Sequence, residues 1–152
     1  MTETVTYPLT NRTYVALAIG RGIAAAKGHS NITPAHIALG ILQEGANMAA
    51  GALQRAGVHP VRLRHQLESE LPPDGHPHLG ELVLPSTPGE QAMLEVAATE
   101  VGKLGDPYLG NEHLLLAMLY DPETSIAQLF FRNGITYDTA LAHLRVLRSG
   151  GI

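Results

Sequence analysis

Thr33-Pro34-Ala35-His36-Ile37-Ala38-Leu39-Gly40-Ile41-Leu42 and Gly110-Asn111-Glu112-His113-Leu114-Leu115-Leu116-Ala117-Met118-Leu119 are one pattern written twice, 77 positions apart. His36 falls on His113, Leu39 on Leu116 and Leu42 on Leu119, with aliphatic on aliphatic at Ile37/Leu114 and Ile41/Met118. The shift extends outward without a gap. Before the pair it sets Pro8 on Pro85, Thr10 on Thr87, Leu17 on Leu94 and Gly28 on Gly105. After it, Ala50 meets Ala127, Arg55 meets Arg132, Gly57 meets Gly134, Val58 meets Ile135 and Leu67 meets Leu144. A fixed period of this length marks a duplicated structural unit.

Each half reads as four short helices. Asn11 to Lys27 stops at Gly28, an ordinary helix stop. Thr33-Pro34 is a strong start, with Thr as N-cap and Pro at the first helical position. That helix ends near Gly45. A third runs from about Asn47 to Ala56, and a fourth from about Pro60 to Glu70 with Val61, Leu63 and Leu67 inward. In the second half Thr87-Pro88 opens a helix to about Leu104. Asn111 to Tyr120, Glu123 to Asn133 and Tyr137 to about Leu147 follow. No stretch alternates with period two, so no substantial sheet is expected. Between the halves, Leu71 to Gly80 holds three prolines and two glycines, which forbid a helix. Glu81 to Pro85 reads as a short extended piece.

The expected fold is therefore all-α: two tandem four-helix repeats related by a pseudo-twofold axis. The whole of 1–152 is one domain, with repeat one at 9–71, a linker at 72–85 and repeat two at 86–148. Each half alone is marginal in size, so the two should share one core.

Composition narrows the function. Apolar residues are 45% of the chain and aromatic ones 5%, so the core is aliphatic and Ala-rich. A formal net charge of −4 argues against non-specific nucleic-acid binding. There is no cysteine, which removes disulfides, thiol catalysis and cysteine zinc sites. No signal-peptide pattern opens the chain, and no apolar run approaches the roughly 20 residues a membrane span needs. A cytoplasmic protein is expected. Met1 and the short Ser149 to Ile152 tail favour a complete chain.

The pattern resembles the Clp repeat domain, the N-terminal domain of Clp-type AAA+ unfoldases. The residues that carry the likeness are Leu9-Thr10-Asn11-Arg12, Gly28-His29-Ser30-Asn31-Ile32, His36 to Gly45 and Ala52 to Val58. In the second half they are Ser86-Thr87-Pro88, Gly105 and Tyr108 to Leu119. The likeness spans about Leu9 to Leu147. It implies a non-catalytic protein- or peptide-binding module of the Clp protease system. The implied partners are Clp unfoldase or peptidase subunits, adaptor proteins or substrate peptides, with the domain a monomer. The alternative is a sensor or sequestering protein for a small molecule, a cyclic peptide or a phosphoarginine-bearing ligand. No Gly-x-x-x-x-Gly-Lys-Ser/Thr phosphate loop and no Gly-x-Ser-x-Gly setting occurs, so no ATPase, cofactor or hydrolase is expected.

The same resemblance implies that Glu112, with Asn111 and His113, forms a phosphoarginine-type ligand site. A carboxylate there can take a bidentate guanidinium. The first repeat has Ala35 in that place, so one such site is expected at most. The competing account is that Glu112 only favours the positive end of its helix. His36 and His113 read as partly buried rings bonded to a neighbouring backbone or helix end, with ligand binding or pH sensing as the alternative. His76-Pro77-His78, with His59 and His65, reads as a solvated loop rather than a metal site. Phe130 and Phe131 cannot both face inward, because neighbours on a helix lie about 100° apart. One is expected either exposed, as a partner contact, or packed between the repeats, with Tyr120 and Tyr137 nearby.

Overall fold

The computed structural model describes residues 6–77 and 87–150. The extended piece expected at Glu81 to Pro85, the residues His78 and Ser86, and most of the linker's second half lie outside these. Among the described residues eight helices run in order: α1 Asn11–Lys27, α2 Pro34–Glu44, α3 Met48–Arg55, α4 Pro60–Ser69, α5 Pro88–Leu104, α6 Asn111–Tyr120, α7 Ser125–Arg132 and α8 Tyr137–Arg148. Among the described residues there is no strand. A single parallel bridge joins Leu9 to Leu109, with the Thr10 N–H on the Leu109 carbonyl at 3.1 Å and the Leu109 N–H on the Pro8 carbonyl at 2.9 Å. No described helix is long and apolar enough to cross a membrane.

The helices begin where local chemistry places them. Thr10, Asn47, Thr87, Thr124 and Thr136 each accept an N–H of the first turn that follows. α1 and α5, like α3 and α7, begin and end 77 residues apart. The seventh helix is shorter than its sequence pattern. Asp121 Oδ1 accepts the Glu123 N–H at 2.9 Å and Thr124 caps at Ala127, so Glu123 and Thr124 are used up in a turn.

α2 and α6 form the centre. Every residue of α6 from Asn111 to Leu119 is buried, which marks a helix enclosed on all sides. α1 covers α2 and α5 covers α6, while α4 lies on α2 and α8 on α6. α3 crosses into the other half and packs on α6 and α8, while α7 packs on α6 and has no comparable packing on α2 or α4. Arg21 on α1 ties the repeats through both oxygens of the buried Glu90 on α5, at 3.0 and 2.7 Å. Where α1 meets α2, Gly20 and Gly40 allow backbone to touch backbone: a Cβ on Gly40 would overlap the Ala16 carbonyl.

Two apolar assignments resolve. Val61 is exposed rather than inward, because it sits about 200° from Leu63 around α4, and Leu63 with Leu67 takes the core face. Phe130 is buried, and Phe131 is 68% exposed.

Candidate functional site

The α6 start is a polar network sunk in an aliphatic core. His113, fully buried, is the third residue of the helix, and its Nδ1 accepts the Gly110 N–H at 2.9 Å. The ring proton therefore sits on Nε2 and is donated to Asp106 Oδ2 at 2.6 Å. Arg148, at the end of α8, donates to both Asp106 oxygens at 3.0 and 2.6 Å, and to Glu112 Oε2 at 3.4 Å. Burial raises the Asp106 carboxyl, but Arg148 and His113 outweigh it and hold it below the usual range. Glu112 is thus a buried carboxylate with an internal guanidinium already beside it.

The first repeat keeps the histidine and changes its partners. His36 Nδ1 accepts the Thr33 N–H at 2.9 Å, and its Nε2 lies 2.9 Å from His29 Nδ1. His29 occupies the place of Asp106 under the 77-residue shift. Its Nε2 faces Asp74 at 3.3 Å. With the Thr33 N–H fixing one end, His36 donates through Nε2 to His29 Nδ1, and His29 Nε2 is left without a hydrogen-bond partner among the described residues. Burial, then the neighbouring His29, pushes His36 down to about 4. Leu71 stands where the second repeat has Arg148, so Ala35 has neither a carboxylate nor a cation to answer it.

Three helix starts meet beside Glu112. A cleft of about 500 Å³ is lined by Thr10, Asn11 and Arg12 of α1, by Ala46, Asn47 and Met48 at α3, and by Tyr108, Asn111 and Glu112 at α6. Their free N–H groups give the floor a positive potential. Asn111 is 1% exposed, and neither its Oδ1 nor its Nδ2 has a hydrogen-bond partner among the described residues. A buried amide left unpaired is costly. Arg12 is held at the mouth by Glu44 at 2.9 Å. Asn111 and Glu112 therefore lie in one cleft, while His113 is behind it as support.

This arrangement sits on a known fold. The Clp repeat (R) N-terminal domain family matches residues 8–133. The chain belongs to that family. Over 131 residues it is 31% identical to the negative regulator of genetic competence ClpC/MecB of Bacillus subtilis (strain 168), covering 86% of this chain and 16% of that protein. The chain thus spans about a sixth of the length of this curated relative. The N-domain of ClpV from Vibrio cholerae superposes with a TM-score of 0.75 at 16% identity, covering 98% of this chain and 95% of that one. The Hsp104 N-terminal domain from Candida albicans does so with a TM-score of 0.73 at 19% identity, covering 93% and 91%.

Within this Clp N-domain, other sequence candidates have plain structural places. His59 caps α4 through Nδ1, which accepts the Arg62 N–H at 3.3 Å. His65 and His76 are exposed, and the described residues contain no group of three ligands able to hold a metal. Sequence reasoning missed Asp106 and Arg148. Asp106 was within reach, because the shift pairs it with His29, the residue seven before each helix histidine. Arg148 lies 42 residues from Asp106, and no spacing rule joins them.

Proposed function

We propose that this Clp N-domain is a non-catalytic binding module that docks substrate peptides or adaptor proteins of the Clp system, with no ATPase within these 152 residues. The observation that carries the reading is the orphaned Asn111. An enclosed amide with both polar atoms free, at the meeting of three helix N-termini, is built to meet a polar ligand group. A phosphate or carboxylate on the ligand fits the N–H groups of α1 and α3 and the Arg12 side chain. A guanidinium on the same ligand fits Glu112, as a phosphoarginyl residue provides. Arg148 then competes with the ligand, which places the affinity below that of an unpaired glutamate.

The test is a phosphoarginine titration followed by NMR. Shifts should centre on Gly110 to His113 and Thr10 to Arg12, with one ligand per chain. Losing a charge-assisted contact of this kind lowers affinity by roughly tenfold to a hundredfold, so Glu112→Ala should all but abolish binding. Arg148→Ala should tighten it, because it frees the carboxylate. Shifts centred on Thr33 to His36 would refute the one-site reading. No shifts at all would remove phosphoarginine as the ligand, and capture of Clp subunits or adaptors on immobilised protein would then test the docking role alone.

A further inference from the structure

We propose that the cleft between α6, α7 and α8 is a second docking surface, and that it takes a peptide segment presenting an aliphatic side chain beside a lysine or arginine. The proposal rests on the reading of the domain as a peptide-binding module, but it shares no residue with the Glu112 cleft. The cavity measures about 510 Å³, and its apolar wall is Leu119, Tyr120, Ala127, Phe131, Ile135 and Tyr137. Phe131 is 68% and Tyr120 57% exposed. Two large aromatics left open beside an apolar hollow mark a contact surface, where isolated exposed residues would not.

Charge selects the partner. Asp138 lines the hollow, and Asp121 and Glu123 are the chain neighbours of Pro122, which also lines it. All three are exposed, and none has a cation within ion-pair distance among the described residues. The one cation in the cleft, Lys103, is matched by the buried Glu100 at 3.2 Å. Arg132, the chain neighbour of Phe131 and likewise exposed, offsets one of these three carboxylates and leaves the other two. The uncompensated charge around the hollow is therefore negative. The rings are also suited to a cation: the Lys103 ammonium already lies 4.6 Å from the centre of Tyr120 and 5.7 Å from that of Tyr137. Glu100 accepts the Tyr137 hydroxyl at 2.6 Å and so fixes that ring.

The surface belongs to one repeat. Seventy-seven residues earlier, Gln43, Gln54, Pro60 and Val61 replace Tyr120, Phe131, Tyr137 and Asp138. The hollow there is lined by Lys27 and by the Arg64–Glu68 pair and has no aromatic ring.

Three synthetic octapeptides test the proposal by NMR titration of the isotope-labelled full chain: Gly-Ser-Lys-Leu-Leu-Lys-Gly-Ser, the same peptide with both lysines replaced by glutamate, and the same peptide with both leucines replaced by glycine. Only the first should shift Tyr120, Phe131 and Tyr137. Phe131→Ala should weaken it by about tenfold or more, and Asp121→Asn with Asp138→Asn should weaken it and flatten its salt dependence. These side chains are exposed, so unchanged thermal unfolding will verify the fold. Equal binding of the glycine peptide, or unaltered affinity in Phe131→Ala, overturns the proposal. Shifts confined to Thr10, Asn111 and Glu112 overturn it too, while leaving the peptide-binding reading standing. Binding of no peptide at either cleft overturns both.

Discussion

Replacing Gly40 by alanine should destabilise this domain, although alanine is the better helix former. Gly40 lies in the middle of α2, where that helix crosses α1. A Cβ there would overlap the Ala16 carbonyl oxygen, and it would also sit 3.1 Å from the Gly20 nitrogen. Both obstacles are backbone, so no side-chain rotation relieves them and the two helices must move apart. Overpacking of this kind costs about 1–3 kcal/mol, and rigid backbone neighbours place it at the upper end. The helix propensity gained returns about 1 kcal/mol. The net loss is about 2 kcal/mol, or about 4–8 °C in Tm for a chain of this size. Gly22 is the control. It lies on the exposed side of α1 with nothing within 4 Å of a built Cβ, so Gly22→Ala should raise Tm by about 2–4 °C. Circular dichroism or calorimetry reads both. The second repeat shows the alternative solution, since Ala97 and Ala117 stand at the positions of Gly20 and Gly40, and α5 lies less closely on α6 than α1 does on α2. A Gly40→Ala protein melting at or above the wild type would refute the close-approach argument.

Three further outcomes are expected. Phe130→Ala should lose about 3–5 kcal/mol by leaving a cavity, while Phe131→Ala stays within about 0.5 kcal/mol, as chemical denaturation will show; similar losses in both would mean the α7 face is misassigned. His36 takes up its proton at about 4 when folded, against 6.5 ordinarily, because burial and then His29 oppose the charge. The unfolded chain therefore binds more protons between those values, so this contribution rises with pH and is lost as pH falls from 6.5 to 4, by roughly 3 kcal/mol in all. The His36→Gln stability profile should be flatter across that window, and a wild-type profile with no slope there would contradict the assignment. Expressed separately, 1–72 and 82–152 should each fail to unfold cooperatively near the Tm of the whole, because separation strands Glu90 from Arg21 and strips α3 from α8; a fragment melting near the intact Tm would disprove the shared core.

The sequence by itself determined the all-helical fold, the eight helices of the described residues and the difference between Glu112 and Ala35. These rest on local chemistry: Thr caps, Pro at first turns, Gly stops and apolar spacing act within a few residues and survive without tertiary context. Only the tertiary structure decided which side chains share a site. Glu112 reads in sequence as a free carboxylate at a helix start. Folded, it is buried beside Arg148, which arrives from the far end of α8 and is held there by Asp106. Asn111 is singled out in sequence only by the family resemblance, and only packing shows that it is enclosed without a partner among the described residues. The alternation of Phe130 and Phe131 showed that one must turn away from the core, but only the docking of α7 on α6 chose Phe131. In each case the outcome depends on helix rotation and crossing, which sum many weak contacts between residues far apart in the chain. No local pattern encodes that sum.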